Sequence, residues 1–154
     1  MKLRDGRPED AETLIALYRD TIRHVNLRDY TAAQVAAWAP DEIPTAPWAA
    51  RLAQSRWTVA ERDGAVTGFC ELEADGLVRM LFVHKDHQGQ GIAAALLERA
   101  EAQARAAGLT RLHTEASLTA RPVFERHGYR VIEAQTVGRG DQSLRNFRME
   151  KTLT

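Results

Sequence analysis

One segment of the chain constrains the fold more than any other: an apolar strand that passes through a glycine-containing turn directly into an alanine-rich helix. This segment runs from Val83 to Leu97 and has the sequence VHKDHQGQGIAAALL. Gly89 and Gly91 permit positive φ angles and place no side chain over the turn. Successive backbone N–H groups and the start of the helix therefore form a nest for a phosphate or pyrophosphate. The sequence predicts an anionic ligand at this turn.

The spacing of the glycines argues against two common phosphate-binding motifs. A Walker A loop requires Lys-Ser or Lys-Thr after its second glycine, whereas Ile92 follows Gly91. A dinucleotide fingerprint requires a third glycine, but the corresponding residue is Ala94. A plain helix start, with glycine needed only for close packing, is the simplest alternative.

Two motifs resemble those of the GNAT N-acetyltransferase superfamily. The sequence QGQGIA is similar to its Arg/Gln-x-x-Gly-x-Gly/Ala signature, and Ala120–Tyr129 (ARPVFERHGY) resembles its second motif, a short helix ending in Gly-Phe or Gly-Tyr. Their order extends the resemblance over nearly the whole chain. The resemblance implies that acetyl-CoA is the co-substrate and that its pyrophosphate lies on Gln88, Gly89, Gln90, Gly91, Ile92 and Ala93.

Length and charge limit the organisation and the partners. The chain has 154 residues, the size of one domain, so we expect a single N-acetyltransferase domain over 1–154. Lysine plus arginine and aspartate plus glutamate each number 21, which gives a formal net charge of zero. No global field attracts nucleic acid or an acidic membrane, and neither is expected as a partner. Substrate choice must therefore come from local groups.

Cysteine usage and the N-terminal residues predict a cytoplasmic protein. The single cysteine, Cys70, lies within an apolar run and is expected to be a small buried side chain. The N-terminus is charged and lacks an apolar signal core, and no apolar run approaches the roughly 18 residues of a membrane span. We expect no metal site.

Periodicity and turn signals predict a mixed α/β fold in the order β-α-α-β-β-β-α-β-α-β-β, which resembles the GNAT-like acyl-CoA N-acyltransferase fold. Thr31 to Gln34 form a capping box that starts a helix at about Ala32, and Pro40 follows its end at Trp38. A further helical piece is expected over 48–53. The pairs Asp63-Gly64 and Asp75-Gly76 predict two hairpins, and hence three antiparallel strands.

The resemblance implies how the co-substrate is held. In the family, a strand splays from its neighbour and its backbone binds the pantetheine arm, which assigns this task to Leu81, Phe82 and Val83. An amide near Phe82 or Val83 is the expected oxyanion donor. Ser117 stands where the family often has Asn, and Phe124 where many members have a Tyr that protonates the departing thiolate. Because a phenyl ring has no proton to give, we expect Phe124 to pack against the cofactor.

The candidate bases are predicted from strand position, and the candidate acids from the hydroxyl that the resemblance implies and Phe124 lacks. Strand alternation places Glu71 opposite Cys70, on a face that is a candidate for the cleft, and Glu115 ends the strand after the long helix. Each is a candidate general base, and a solvated surface glutamate is the alternative for each. Tyr129 or Tyr30 can replace the missing hydroxyl, or water serves, or the thiolate leaves unassisted, since a thiol with a pKa of about 8.5 is a good leaving group.

The N-terminal helices are expected to cover the acceptor site. The segment DYTAAQVAAWAP, residues 29–40, resembles one found in a bacterial GNAT branch. Tyr30, Trp38 and Trp48 are therefore candidates for a small apolar acceptor pocket, although aromatic residues at helical spacing also fill cores.

These features predict an acetyl-CoA-dependent N-acetyltransferase in which a primary amine of a small molecule or protein attacks the thioester directly. Two alternatives remain. One is a non-catalytic acyl-CoA-binding or sensor module of the same fold. The other is a nucleotide-binding enzyme of another fold, for which ATP or NAD must displace coenzyme A. A monomer or a homodimer fits the sequence equally well.

Overall fold

The chain folds around one seven-stranded sheet with helices on both faces. A computed structural model describes residues 1–154, with the strands in the spatial order β1-β2-β3-β4-β5-β7-β6. The strands are β1 (Lys2–Asp5), β2 (Arg56–Arg62), β3 (Ala65–Leu72), β4 (Leu77–Val83), β5 (Arg111–Ser117), β6 (Arg130–Arg139) and β7 (Gln142–Thr152). All neighbours pair antiparallel except β4 and β5, which are parallel because a crossover helix connects them.

Five α-helices complete the fold: α1 (Ala11–His24), α2 (Ala32–Trp38), α3 (Thr45–Gln54), α4 (Ile92–Ala106) and α5 (Arg121–Arg126). Short 3₁₀ turns lie at Pro8–Asp10, Asn26–Arg28 and Lys85–His87. None of the helices combines the length and the apolar character that crossing a membrane requires.

Apolar side chains divide between the two faces of the sheet. Helix α4 buries Ile92, Leu96 and Leu97 in a cluster of 16 residues on one face. On the other face, α1 and α3 enclose a second cluster around Trp57 and Phe69, and α2 closes a third. The sheet is therefore covered on both sides, and a ligand must enter through a gap between strands or at a strand end.

The mixed α/β fold is confirmed, with one addition to the predicted order. Helix α3 is a full element that runs from Thr45 to Gln54, three residues earlier than the piece expected from the sequence. Pro47 is compatible with this start because the first turn of a helix uses no N–H at that position. The capping box of α2 is present: the Thr31 Oγ1 accepts from the Gln34 N–H at 3.1 Å, and the Gln34 Oε1 accepts from the Thr31 N–H at 2.9 Å.

Candidate functional site

The gap between strands occurs where β4 and β5 separate. The two strands pair only at Leu77 with His113 and at Val78 with Thr114, and they then diverge. The diverging ends enclose a cleft of about 1120 Å³, open solvent at its mouth included. Beyond Val78, the edge of β4 that faces β5 has no strand partner. Buried backbone N–H and C=O groups need hydrogen-bond partners. The unpaired groups along this edge of β4 are therefore available to a ligand.

A β-bulge accompanies this separation. Glu71 of β3 pairs with Met80, and Leu72 pairs with Val78, so Arg79 is an extra residue in β4. Bulges bend a strand and increase its local twist. The bulge therefore accounts for the change in direction of β4 at the residue where its contact with β5 ends.

The glycine turn lies at the C-terminal end of β4. Gly89 has a φ of 71° and Gly91 a φ of 80°, and a Cβ added to either would meet no atom within 4 Å. Close packing therefore does not explain these two glycines. Backbone conformation requires them, and the space above them is open.

Backbone donors are concentrated at this turn. The N–H groups from Gln88 to Ala94 donate to no acceptor in the protein. Helix α4 begins at Ile92 without a side-chain cap and without an acidic residue in its first turn. Unpaired N–H groups at a helix N-terminus carry partial positive charge. The turn thus has the donors and the partial charge that an anion site needs, and the binding of an anion there stays a prediction.

Three side chains fix the turn relative to the strand and a neighbouring hairpin. The Gln88 Nε2 donates to the Val83 carbonyl at 2.7 Å, and the Thr21 Oγ1 donates to the same carbonyl at 3.1 Å. The Arg62 Nη1 donates to the Gln90 Oε1 at 2.7 Å. These bonds hold the loop in position before a ligand arrives, which lowers the entropy cost of binding.

One wall of the cleft lies on the α4 and α5 side of the sheet. It contains Leu81 and Val83 of β4, Ala93 of α4 and Phe124 of α5. Phe124 is buried, and its ring makes an edge contact with Tyr129 at a centroid distance of 5.0 Å. This wall is apolar and suits an uncharged chain.

The opposite wall is aromatic and lies on the α1 and α2 side. It contains Tyr18, Tyr30, Trp38 and Phe82. Two of the three expected pocket residues, Tyr30 and Trp38, therefore line the cleft. Trp48 does not: it is buried in the cluster of α1 and α3. Its place next to Tyr18 in that cluster could not be read from helical spacing.

The two candidate bases occupy different environments. Glu115 lines the cleft and accepts a hydrogen bond from the Gln135 Nε2 at 2.7 Å. Glu71 lies outside the cleft, and its side chain is only 1% exposed. Its carboxylate pairs with Arg51 and accepts from the Ser55 Oγ at 2.8 Å. Alternation assigned Glu71 to the side opposite Cys70, but α3 covers that side, so Glu71 is a structural ion-pair residue.

Neither tyrosine proposed as an acid offers a free hydroxyl to the cleft. Tyr129 does not line it; burial raises the pKa of this tyrosine, and its hydroxyl has no hydrogen-bond partner. The Tyr30 hydroxyl donates to the Arg145 carbonyl at 2.6 Å and accepts from the Leu118 N–H at 2.9 Å. Tyr30 therefore connects β5 and β7 through its hydroxyl, and burial raises its pKa as well.

The predicted residue Ser117 lines the cleft. Its Oγ accepts a hydrogen bond from the Ala120 N–H at 3.0 Å and lies 3.5 Å from the Asn26 Nδ2.

Several other cleft residues were not predicted from the sequence. These include the aromatic or polar residues Tyr18, Asn26, Arg79, Arg139 and Asn146. Hairpin signals alone cannot say that β7 pairs with β5 and so brings its residues to the cleft. No group of three or more His, Cys, Asp or Glu side chains is positioned to hold a metal ion.

Comparison with known proteins agrees with this geometry. The family model described as an acetyltransferase (GNAT) domain matches residues 26–153. The chain belongs to the GNAT acetyltransferase family. A crystal structure of a GCN5-related N-acetyltransferase from Rhodopseudomonas palustris is 32% identical, with a TM-score of 0.94, and the match covers 99% of this chain and 95% of that one.

Two further proteins extend the comparison, the second of them in fold alone. The uncharacterized N-acetyltransferase YafP of Escherichia coli K12 is 29% identical over 152 residues, 97% of this chain and 94% of YafP. YncA of Salmonella typhimurium, a putative acetyltransferase solved with its cofactor acetyl-CoA, is 20% identical with a TM-score of 0.76, over 100% of this chain and 94% of that one. The superfamily predicted from the two motifs is thus confirmed.

Proposed function

We propose that residues 1–154 form one catalytic domain that transfers the acetyl group of acetyl-CoA to a primary amine of a small molecule or protein. The observation that carries this proposal is the run of unpartnered N–H groups from Gln88 to Ala94, next to the open edge of β4. A pyrophosphate needs the first feature and an amide-containing pantetheine arm needs the second. Their proximity favours coenzyme A over a simple phosphate.

The residues present fit an acyl-CoA. The amides of Gln88 to Ala93 bind the pyrophosphate, because charge-assisted bonds to several N–H groups are favourable at a helix start. The backbone of 81–83 binds the pantetheine amides along β4. Phe124 and Ala93 supply dispersion contacts on the apolar wall. Acetyl-CoA itself supplies the activated acyl group as a thioester.

The remaining tasks belong to polar groups of the cleft. A backbone N–H near Phe82 or Val83 stabilises negative charge on the thioester oxygen as the amine attacks. The amine must be unprotonated to attack, so the cleft must accept a proton from it. Glu115 is the carboxylate that lines the cleft, and it is our candidate for this role, directly or through water.

A second candidate function is a non-catalytic acyl-CoA-binding module. It is favoured by three observations about the expected acid: Phe124 has no hydroxyl, the Tyr30 hydroxyl is already hydrogen-bonded, and Tyr129 does not line the cleft. Titration with coenzyme A by calorimetry and thiol release from acetyl-CoA with a panel of amines separate the two. Binding without thiol release supports the module. Binding of ATP or NAD in competition with coenzyme A would instead support a nucleotide enzyme.

Replacing Glu115 by Gln is expected to reduce turnover by about 10- to 100-fold, because general base catalysis contributes about 10²–10⁴-fold and water replaces part of it. The rise of turnover with pH should also flatten. Steady-state kinetics across pH measure both effects. Glu133→Gln is a matched control, since Glu133 is an exposed carboxylate paired with Arg148 outside the cleft. Unchanged kinetics and pH profile in Glu115→Gln would favour a water chain.

Replacing Phe124 by Ala is expected to weaken coenzyme A binding by about 1–3 kcal/mol, the scale of a lost aromatic contact. Because Phe124 is 3% exposed, the same change should also destabilise the fold by roughly 3–5 kcal/mol. Phe124→Tyr keeps the ring and adds a hydroxyl, so turnover should match or exceed that of the wild type. Calorimetry, urea unfolding and kinetics measure these effects. Wild-type affinity for coenzyme A in a folded Phe124→Ala protein would mean that Phe124 serves only in core packing and does not contact the cofactor.

A further inference from the structure

The acceptor side of the cleft carries an arginine with no carboxylate partner. Arg139 lines the cleft near the tip of the β6–β7 hairpin, and its Nη1 donates only to the carbonyl of the preceding Gly138, at 2.9 Å. Arg79, by contrast, is neutralised by Glu73 at 2.7 Å. Arg28 lies 3.9 Å from Asp29. Arg145 also lines the cleft without an ion pair, but it follows Leu144 in β7, so strand alternation puts its side chain on the face opposite that of Leu144. Arg139 is therefore the unpaired cleft arginine on the face of Leu144.

Strand register assigns Arg139 to the face of the sheet opposite α4. Arg139 pairs with Gln142 and Val137 pairs with Leu144, so alternation puts Arg139 on the same face as Val137 and Leu144. Those two pack against the cluster of α1 and α2. The tip of the hairpin is fixed there too, because a Cβ added to Gly140 would lie 3.7 Å from the Ala37 Cβ.

The positive charge of Arg139 acts on the aromatic wall of the cleft. It opposes the effect of burial, which raises the pKa of Tyr18. Tyr18 contacts Phe82 of β4 edge to face at 4.9 Å, and both residues line the same cleft as Arg139. The phosphate turn begins at Gln88, and its own N–H donors can satisfy a pyrophosphate without Arg139.

A second unpartnered polar group lies deeper on the same face. Asn146 lines the cleft, and its Oδ1 is buried and accepts no hydrogen bond. Asn146 is opposite Ser117 in the β5–β7 register, two residues from Leu144 on the same face. A buried oxygen without a donor costs free energy that an N–H of a ligand can recover. An amine nitrogen is such a donor.

We propose that the acceptor is a primary amine that also carries a carboxylate, with the carboxylate bound by Arg139 at the mouth and the amine directed inward past Asn146. This inference rests on the proposed N-acetyltransferase function. The proposed carboxylate would neutralise the Arg139 guanidinium. The chain has as many acidic as basic residues, 21 of each, yet none of its carboxylates pairs with Arg139. The aromatic side chains of Tyr18 and Trp38 contact the apolar part that joins the two polar ends.

Matched pairs of acceptors test this inference. Each pair consists of an ω-amino carboxylate and the carboxamide made from it, so the negative charge is removed while the size stays nearly the same. We expect kcat/KM for the carboxylates to exceed that for the carboxamides by about tenfold or more, the scale of one partly exposed charge-assisted contact. Arg139→Gln should abolish the preference by raising KM with little change in kcat, and Arg139→Glu should reverse it. Arg130→Gln, on the same strand but outside the cleft, should keep the preference.

Binding to the coenzyme A-loaded protein gives a readout independent of turnover. The same pairs are titrated by calorimetry into wild type and Arg139→Gln. Carboxylate binding that is lost in Arg139→Gln supports the carboxylate site at Arg139. If no thiol is released in the same samples, the proposed acetyl transfer is contradicted while the carboxylate site is retained. Thiol release without any preference for carboxylates keeps transfer and overturns the anion site. Failure of every carboxylate to bind, or a preference that survives Arg139→Gln, also overturns it.

Discussion

Replacing Gly91 by Asp is expected to lower the affinity for coenzyme A on the order of 100-fold, through the loss of charge-assisted hydrogen bonds and the addition of a like charge. Gly91 is the N-cap of α4 with a φ of 80°, and the space above it is open. An aspartate there can accept from the N–H groups that otherwise bind the pyrophosphate. Calorimetric titration with coenzyme A measures the effect.

A control at the other end of the same helix separates strain from ligand chemistry. Gly108 also has a positive φ, 78°, and open space where a Cβ would stand. Gly108→Asp therefore imposes a similar backbone cost of about 1 kcal/mol without approaching the phosphate turn. We expect both variants to lose some stability in urea unfolding, but only Gly91→Asp to lose coenzyme A affinity. Equal coenzyme A affinities in Gly91→Asp and Gly108→Asp would show that the pyrophosphate does not bind at this turn.

The conformation of the glycine turn was predictable because its determinants are local. Glycine permits the left-handed conformation at 89 and 91, and the alanine-rich helix begins at once, so the N–H groups converge without help from distant residues. The capping box at Thr31 is equally local. Such features depend on a few consecutive residues, and the structure retains both of them.

The rest of the cleft depends on contacts between distant residues. The Tyr30 hydroxyl is used by Arg145 and Leu118, which belong to β7 and the end of β5, and no nearby sequence signal indicates this. Trp48 and Trp38 are both aromatic residues on N-terminal helices, yet only Trp38 reaches the cleft. Helical spacing identifies an apolar face, but it does not identify the surface that the face will cover.

Glu71 illustrates the same limit within a strand. Alternation correctly separates its side of β3 from that of Cys70, which packs with α4. It does not show that α3 lies over Glu71, because α3 follows a proline-rich stretch, and its packing position depends on the whole α1 face. The carboxylate is therefore buried with Arg51 and has no route to the acceptor.

This burial predicts a large effect on stability. Arg51→Ala is expected to lower the free energy of unfolding by about 3–5 kcal/mol, since it leaves the buried Glu71 charge without a counterion. Arg51 binds both carboxylate oxygens, with the Nε at 3.3 Å from Oε2, and its guanidinium lies 5.6 Å and 5.5 Å from the ring centroids of Trp48 and Trp57. Urea unfolding measures the loss.

Companion variants distinguish a buried charge pair from simple packing. Arg51→Met with Glu71→Leu should recover most of the lost stability, because well-packed apolar residues often replace buried ion pairs at little cost. Arg148→Ala, which breaks the exposed pair with Glu133, should change stability little. A small effect of Arg51→Ala would mean that water reaches Glu71.

Glu71→Gln should leave the pH profile of turnover unchanged, and a profile shifted as in Glu115→Gln would return Glu71 to the list of candidate bases. A loss of stability in Arg51→Ala would therefore assign Glu71 to a structural ion pair, and a changed pH profile in Glu115→Gln would assign Glu115 to proton transfer.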